Sequence, residues 1–270
     1  MTELVASSVD GHLVRALDEG RGMNLLIVHG GGGRPSDWDG VARLLTDDFR
    51  VVRIHRRIYE PDADIVLPHS MDVEAADIVA VARLLDAPVL LVGHSSGAVA
   101  SLEAALLDPS AFAGLALYEP PVAAKRPVGG SALVRARALL DAGEPVEAMR
   151  LHLRDIVQMP GPEVDAMFAT SRVRDMFAAR AAASSADTEA IDALGVGVER
   201  YAVLDQPTTL IQGDESPSLL RERLADLAAV LPDARVATLA GQGHVANVTA
   251  PDLLAEAVRE AAARIRPSRL

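Results

Sequence analysis

The sequence predicts an α/β protein: a mostly parallel central sheet flanked by helices. Three observations carry this. Short runs rich in Val, Ile and Leu recur at residues 25–29, 51–55, 89–93, 115–119, 208–212 and 235–239. Such runs, apolar at successive positions, suit strands covered on both faces. Between most of them lie stretches with helical length and spacing, and strand–helix alternation is the pattern of parallel strands joined by crossovers. The chain of 270 residues is long enough for one sizeable core, or one core plus a small lid.

Taken in order, the run 25–29 leads into His29-Gly30-Gly31-Gly32-Gly33. The run 51–55 is followed by Arg56 and Arg57, which with Arg53 read as the solvated end of a strand. In 73–85 the residues Val73, Ala76, Ile78, Val79, Ala82 and Leu85 form one apolar stripe. The strand 89–93 precedes a small, apolar stretch at 96–107, suited to a buried helix. The strand 115–119 ends at Glu119-Pro120-Pro121. An amphipathic stretch at 219–230 is stopped by Pro232, and 251–265 opens with Pro251 at a first helical position.

The alternation breaks between residues 122 and 205. Helical stretches are expected there at 132–141, 146–159, 162–182 and 188–194, with no convincing strand. Some 80 residues exceed what a crossover needs. The segment 122–205 is therefore read as a helical cap inserted between sheet strands, with residues 1–121 and 206–270 forming the core. Ordinary crossover helices are the alternative. Met149, Met159, Met167, Phe168 and Met176 are read as the interior of that cap rather than as substrate contacts.

Composition narrows the function classes. Half the residues are apolar, about a quarter are charged (24%) and aromatics make up 3%, so the core must be built from Ala, Val and Leu. No cysteine is present, which excludes disulfides and thiolate metal sites. The net charge of −12 disfavours a nucleic-acid partner. No apolar run approaches the ~18 residues of a membrane span, and residues 1–10 lack the pattern of a signal peptide. A cytoplasmic protein with a small-molecule partner is expected, as a monomer or homodimer, with no cofactor, metal or membrane partner.

Three motifs carry chemistry. Gly93-His94-Ser95-Ser96-Gly97 matches G-x-S-x-G between a strand and a helix. That turn lifts the middle Ser above the sheet edge, and its flanking positions must be Gly because neighbouring backbone comes close. The glycine turn at 30–33 exposes backbone N–H groups; with the N–H of Ser96, that of Gly31 forms a candidate oxyanion hole. A phosphate-binding reading fits poorly, because Arg34-Pro35 stand where a Lys and a hydroxyl residue are needed. Gly241-Gln242-Gly243-His244 follows the last strand and places a candidate general base, His244, after the Ser in the chain. His29 and His94 read as structural members of their turns, and His12, His55, His69 and His152 as surface or cap residues.

These motifs, in this order, resemble the α/β-hydrolase superfamily. The likeness begins with Val9-Asp10-Gly11-His12-Leu13, like an opening hairpin, and continues through His29-Gly30 with Trp38, the Ser95 elbow and His244-Val245. It implies an α/β-hydrolase fold and a catalytic triad. Two positions depart from the family pattern. The usual D-x-x-G after strand 51–55 is His55-Arg56-Arg57-Ile58, and the slot usually holding the triad Asp in Gly213-Asp214-Glu215-Ser216 holds Ser216. Glu119 resembles an alternative acid known in the fold after the strand following the elbow helix, and the resemblance implies the triad Ser95–His244–Glu119, with Asp214 held in reserve. The resemblance implies a serine hydrolase cleaving an ester, thioester, lactone or amide of a small apolar substrate through an acyl-enzyme. The same triad also serves C–C bond hydrolases, lyases and acyltransferases, and the displaced acid leaves room for a non-catalytic ligand-binding protein.

Overall fold

The computed structural model describes residues 1–60, 68–87 and 89–265; the last five residues of the expected core, 266–270, lie outside them, as do 61–67 and 88. In chain order the elements are β1 (Thr2–Ser7), β2 (Leu13–Gly20), β3 (Met23–Val28), α1 (Asp39–Leu45), β4 (Phe49–Ile54), α2 (Met71–Ala82), β5 (Val89–His94), α3 (Ser96–Leu107) and β6 (Phe112–Tyr118). There follow α4 (Gly130–Asp141), α5 (Pro145–Leu151), α6 (Gly161–Met167), α7 (Ser171–Ala178) and α8 (Ala181–Ala193). The chain then returns to the sheet with β7 (Thr208–Gly213), α9 (Ser218–Val230), β8 (Ala234–Leu239), α10 (Ala246–Thr249) and α11 (Pro251–Ala263).

The strands form one sheet in the order β1-β2-β4-β3-β5-β6-β7-β8. The hairpin β1–β2 and the pair β2–β4 are antiparallel, and every other pairing is parallel. The unbroken apolar runs have a direct cause, since successive side chains point to opposite faces and both faces are covered. Leu26, Val28, Leu91, Leu115 and Leu117 join the layer that includes α2 and α3. Their neighbours Leu25, Ile27, Leu90, Val92, Ala116 and Tyr118 join the layer that includes α1 and α11. Each fully buried Leu or Ile contributes about 2 kcal/mol by leaving water. The strand ends at Val28, His94, Tyr118 and Gly213 open at one edge of the sheet, the edge where α/β folds bind ligands.

The structure departs from the sequence expectations in three places. Helix α1 is too short and too interrupted by Gly40 for periodicity to reveal; packing of Val41, Ala42 and Leu45 in the second layer stabilises it. The stretch 162–182 is not one helix. Helix α6 ends at Met167, and Thr170 starts α7 by accepting the Val173 N–H at 3.4 Å. Helix α8 then runs unbroken through Ser184, Ser185 and Asp187, although Ser and Asp are weak helix formers. Their buried tertiary setting overrides that preference.

The third correction concerns the arginines. Arg53 and Arg56 are not solvated: they are 2% and 1% exposed. Arg53 pairs with Glu19 and Asp39 and donates to the Pro35 carbonyl at 3.0 Å. Arg56 pairs with Glu74 at 2.8 Å and Asp187 at 2.7 Å, and the less buried Arg57 with Asp10 and Asp77. The His69 side chain is also removed from solvent, its Nε2 lying 3.1 Å from Glu74. All these carboxylates come from other elements, so no local pattern announces them.

Candidate active site

Ser95 stands between β5 and α3 with φ 51° and ψ −127°, a conformation that non-glycine residues rarely adopt. Its amide donates to the Tyr118 carbonyl at 2.9 Å, tying the turn to β6. Gly97 makes the turn possible. A Cβ there would lie 2.7 Å from the Val28 carbonyl oxygen and closer still to that of His29. The backbone of β3 thus packs directly on the elbow, as the motif demands.

The structure brings His244 and Glu119 to Ser95. His244 Nε2 lies 3.1 Å from Ser95 Oγ, and His244 Nδ1 lies 2.5 Å from Glu119 Oε2. Glu119 is completely buried, with φ 48° at the end of β6. Its other oxygen accepts the Gly213 N–H at 2.8 Å. A carboxylate with two acceptor oxygens therefore fixes the imidazole with its proton on Nδ1, leaving the Nε2 lone pair facing the Ser95 hydroxyl. Gly213 is required here because a Cβ would lie 2.6 Å from the Gln242 carbonyl carbon. Asp214 is not brought to the imidazole. Its Oδ1 accepts the Gly241 N–H at 2.7 Å and pins the turn that carries His244.

A second layer holds the histidine loop. His94 Nε2 donates to the His244 carbonyl at 2.9 Å, and the His94 ring stacks on Tyr118 with centroids 4.8 Å apart. The Tyr118 hydroxyl donates to the Gly243 carbonyl. Burial, reinforced by the neighbouring His244, keeps the His94 pKa well below the ordinary value, so this ring stays neutral as its single donated bond requires. Burial also lowers His29, to about 3.

Gly31 and Ser96 both face the cavity above Ser95. Ser96 opens α3, so its N–H has no partner within the helix and the helix end favours negative charge. The cavity has a volume of about 160 Å³ and an apolar wall drawn from the helical insertion, including Met149, Ile156, Met159, Met167, Phe177 and Ile191. Three of the methionines expected in a cap interior thus also line the cavity. Phe168 instead stacks on Phe177 at 4.9 Å and packs within the insertion.

Sequence reasoning missed one cluster. Arg56 Nη1 donates to Ser96 Oγ at 2.9 Å, and Nη2 to Asp187 Oδ1 at 2.7 Å. The Tyr59 hydroxyl donates to Asp187 Oδ2 at 2.8 Å. Burial raises Glu74, but Arg56 outweighs it and holds that carboxyl at about 2. Burial works against the Arg56 charge too, yet Asp187 and Glu74 raise its pKa above the ordinary value. Arg56 and Asp187 are separated by 131 positions, so no spacing in the sequence links them.

A model of the alpha/beta hydrolase family matches residues 25–257. Among curated proteins, the pimeloyl-[acyl-carrier protein] methyl ester esterase of Methylococcus capsulatus is 36% identical over 98 residues, 36% of this chain and 37% of that protein. Esterase YbfF of Escherichia coli is 36% identical over 64 residues, 24% and 25% of the two chains. The matched stretches thus span about a third or less of these relatives. Among solved structures, an alpha/beta hydrolase from Sphaerobacter thermophilus superposes with a TM-score of 0.83 at 27% identity, covering 95% of this chain and 99% of that one. An esterase from Thermogutta terrifontis shares the fold, with a TM-score of 0.77 at 19% identity over 99% and 100% of the chains. With most of its length matched by the family model, the chain belongs to the alpha/beta hydrolase family.

Proposed function

We propose that the protein is a serine esterase that cleaves a small, largely apolar ester through an acyl-enzyme. The observation that carries this reading is the continuous hydrogen-bonded series Ser95–His244–Glu119, of which Ser95 and His244 line an apolar cavity. Ser95 Oγ attacks the substrate carbonyl while His244 Nε2 takes its proton. Glu119 orients the imidazole and stabilises its cationic form. The N–H groups of Gly31 and Ser96 hold the tetrahedral oxyanion, and His244 then protonates the leaving alcohol. Water, deprotonated by the same imidazole, attacks the acyl-enzyme and frees Ser95. Helices α4–α8 act as a cap over this chemistry, supplying most of the apolar wall. The esterase names of both curated relatives favour esters over the other acyl compounds.

The test is labelling by a fluorophosphonate probe together with turnover of short p-nitrophenyl esters. Wild type is expected to label and turn over, and Ser95→Ala to do neither. A wild type inert to the probe and to every short ester refutes the reading.

A further inference from the structure

The cavity wall is not uniformly apolar. Along α8, Ser184, Asp187, Thr188 and Ile191 recur every three or four residues and face the cavity together, where Tyr59 and His152 join them. Among the described residues, two polar atoms here are buried with no partner at hydrogen-bond geometry: Ser184 Oγ, which lies near the Tyr59 hydroxyl, and His152 Nδ1. Ser184 as a whole is 3% exposed. Asp187, 2% exposed, uses its two oxygens for Arg56 and Tyr59. A carboxylate offers about four lone-pair sites, so acceptor capacity remains. Burial pushes His152 down to about 4 against the opposing charge of Asp187, so the ring is neutral and presents one donor and one acceptor. Native structures rarely leave such groups unmatched, because each forfeits its hydration without replacement.

The position of this cluster relative to the chemistry is set by Gly31. A Cβ on Gly31 would lie 3.2 Å from the Tyr59 hydroxyl, 3.3 Å from Ser96 Oγ and 3.4 Å from Asp187 Oδ2. The polar patch therefore adjoins the candidate oxyanion hole. A substrate group reaching it is only a few bonds from the scissile carbonyl.

Resting on the esterase reading above, we infer that Ser184, His152 and Asp187 form a recognition subsite for an uncharged hydroxyl group on the substrate, so that the preferred substrates are hydroxy-substituted esters rather than plain alkyl esters. A hydroxyl donates once and accepts twice, matching the remaining acceptor capacity of Asp187 and the free Ser184 hydroxyl and His152 nitrogen. A substrate carboxylate meets the Asp187 charge. A substrate ammonium gains little, because Arg56 already pairs with that carboxylate at 2.7 Å.

The test compares methyl hexanoate with its 2-, 3- and 5-hydroxy derivatives, and with a 6-amino and a 6-carboxy derivative. Two readouts are used: kcat/KM of the wild type, and calorimetric binding to Ser95→Ala, which needs no turnover. At least one hydroxy ester is expected to exceed methyl hexanoate by about tenfold or more in both. In Ser184→Ala and His152→Phe that ratio is expected to fall towards one. Two separate variants guard against one failing to fold. Hydroxy esters no better than hexanoate, a preference for the amino or carboxy derivative, or a ratio unchanged in both variants overturns the subsite. Fluorophosphonate labelling separates the two ideas. Labelling without hydroxyl discrimination refutes only the subsite, whereas tight hydroxy-ester binding without labelling refutes only the esterase chemistry.

Discussion

Replacing Glu119 by Gln changes almost no volume, yet it removes one of two acceptors that the structure uses. Glu119 Oε1 accepts the Gly213 N–H at 2.8 Å and Oε2 faces His244 Nδ1 at 2.5 Å. The Gln side chain has one carbonyl oxygen and one NH2 group. If its oxygen serves Gly213, the NH2 faces Nδ1 and forces the proton onto Nε2. The imidazole then presents N–H to Ser95 and cannot act as a base. If the amide flips, the Gly213 N–H is left buried against a second donor, at a cost of about 1–3 kcal/mol. The first arrangement is therefore favoured, and kcat should fall by about 10³–10⁴-fold, the scale seen when a triad carboxylate is neutralised. Asp214→Asn is the matched control, since Asp214 bonds Gly241 and not the imidazole. It should lose no more than about threefold. The assay is steady-state hydrolysis of p-nitrophenyl acetate, with circular dichroism to verify folding. A folded Glu119→Gln enzyme keeping more than about a tenth of wild-type kcat, or an Asp214→Asn enzyme losing more than it, refutes the assignment of Glu119 as the orienting acid.

Other consequences can be checked directly. Gly97→Ala pushes a methyl group into the carbonyls of Val28 and His29; thermal unfolding should show a loss of about 1–3 kcal/mol and ester turnover should fall with it. Arg56→Met strands the buried carboxylates of Glu74 and Asp187, and urea titration should report a loss of about 3–5 kcal/mol; a loss under 1 kcal/mol would mean that the cluster rearranges. Stability should also fall on mild acidification. His29 is held neutral down to about pH 3, whereas in the unfolded chain it protonates near 6.5, so the unfolded state binds the extra proton between these values. Each pH unit descended in that window costs about 1.4 kcal/mol for this imidazole, and His152, with its pKa lowered to about 4, adds a similar share until that value. Urea midpoints at pH 7 and 5.5 test this, and His29→Asn should flatten the slope; an unchanged slope refutes the contribution of His29.

Much of the fold was legible because it rests on local pattern. Strands covered on both faces have to be apolar at successive positions, and the runs at 25–29, 89–93 and 115–119 were. The elbow was legible for a similar reason: a backbone that approaches another within van der Waals contact admits only glycine, so Gly97 marks the turn in the sequence itself. The motif order likewise pointed to Ser95 and His244. For the acid, the resemblance favoured Glu119 with Asp214 in reserve, and it is Glu119 that lies against the imidazole. Glu119 and Asp214 both follow strands at the same edge of the sheet. Which carboxylate faces the imidazole depends on the path of the 241–244 loop, to the ångström.

The arginines show the converse. A run such as Arg53, Arg56 and Arg57 ordinarily means a solvated face, and composition has no way to say otherwise. Burial of Arg56 is possible only because Glu74 on α2 and Asp187 on α8 converge on it from 18 and 131 positions away. A charge survives in the interior only with such partners, and long-range convergence leaves no periodic trace. The sequence by itself determined the layers, the strand ends and the candidates for nucleophile and base, since each follows from local spacing and steric demand. Only the tertiary structure showed the distance from Glu119 to the imidazole and that a polar patch adjoins the Ser95 cavity, because these depend on segments far apart in the chain.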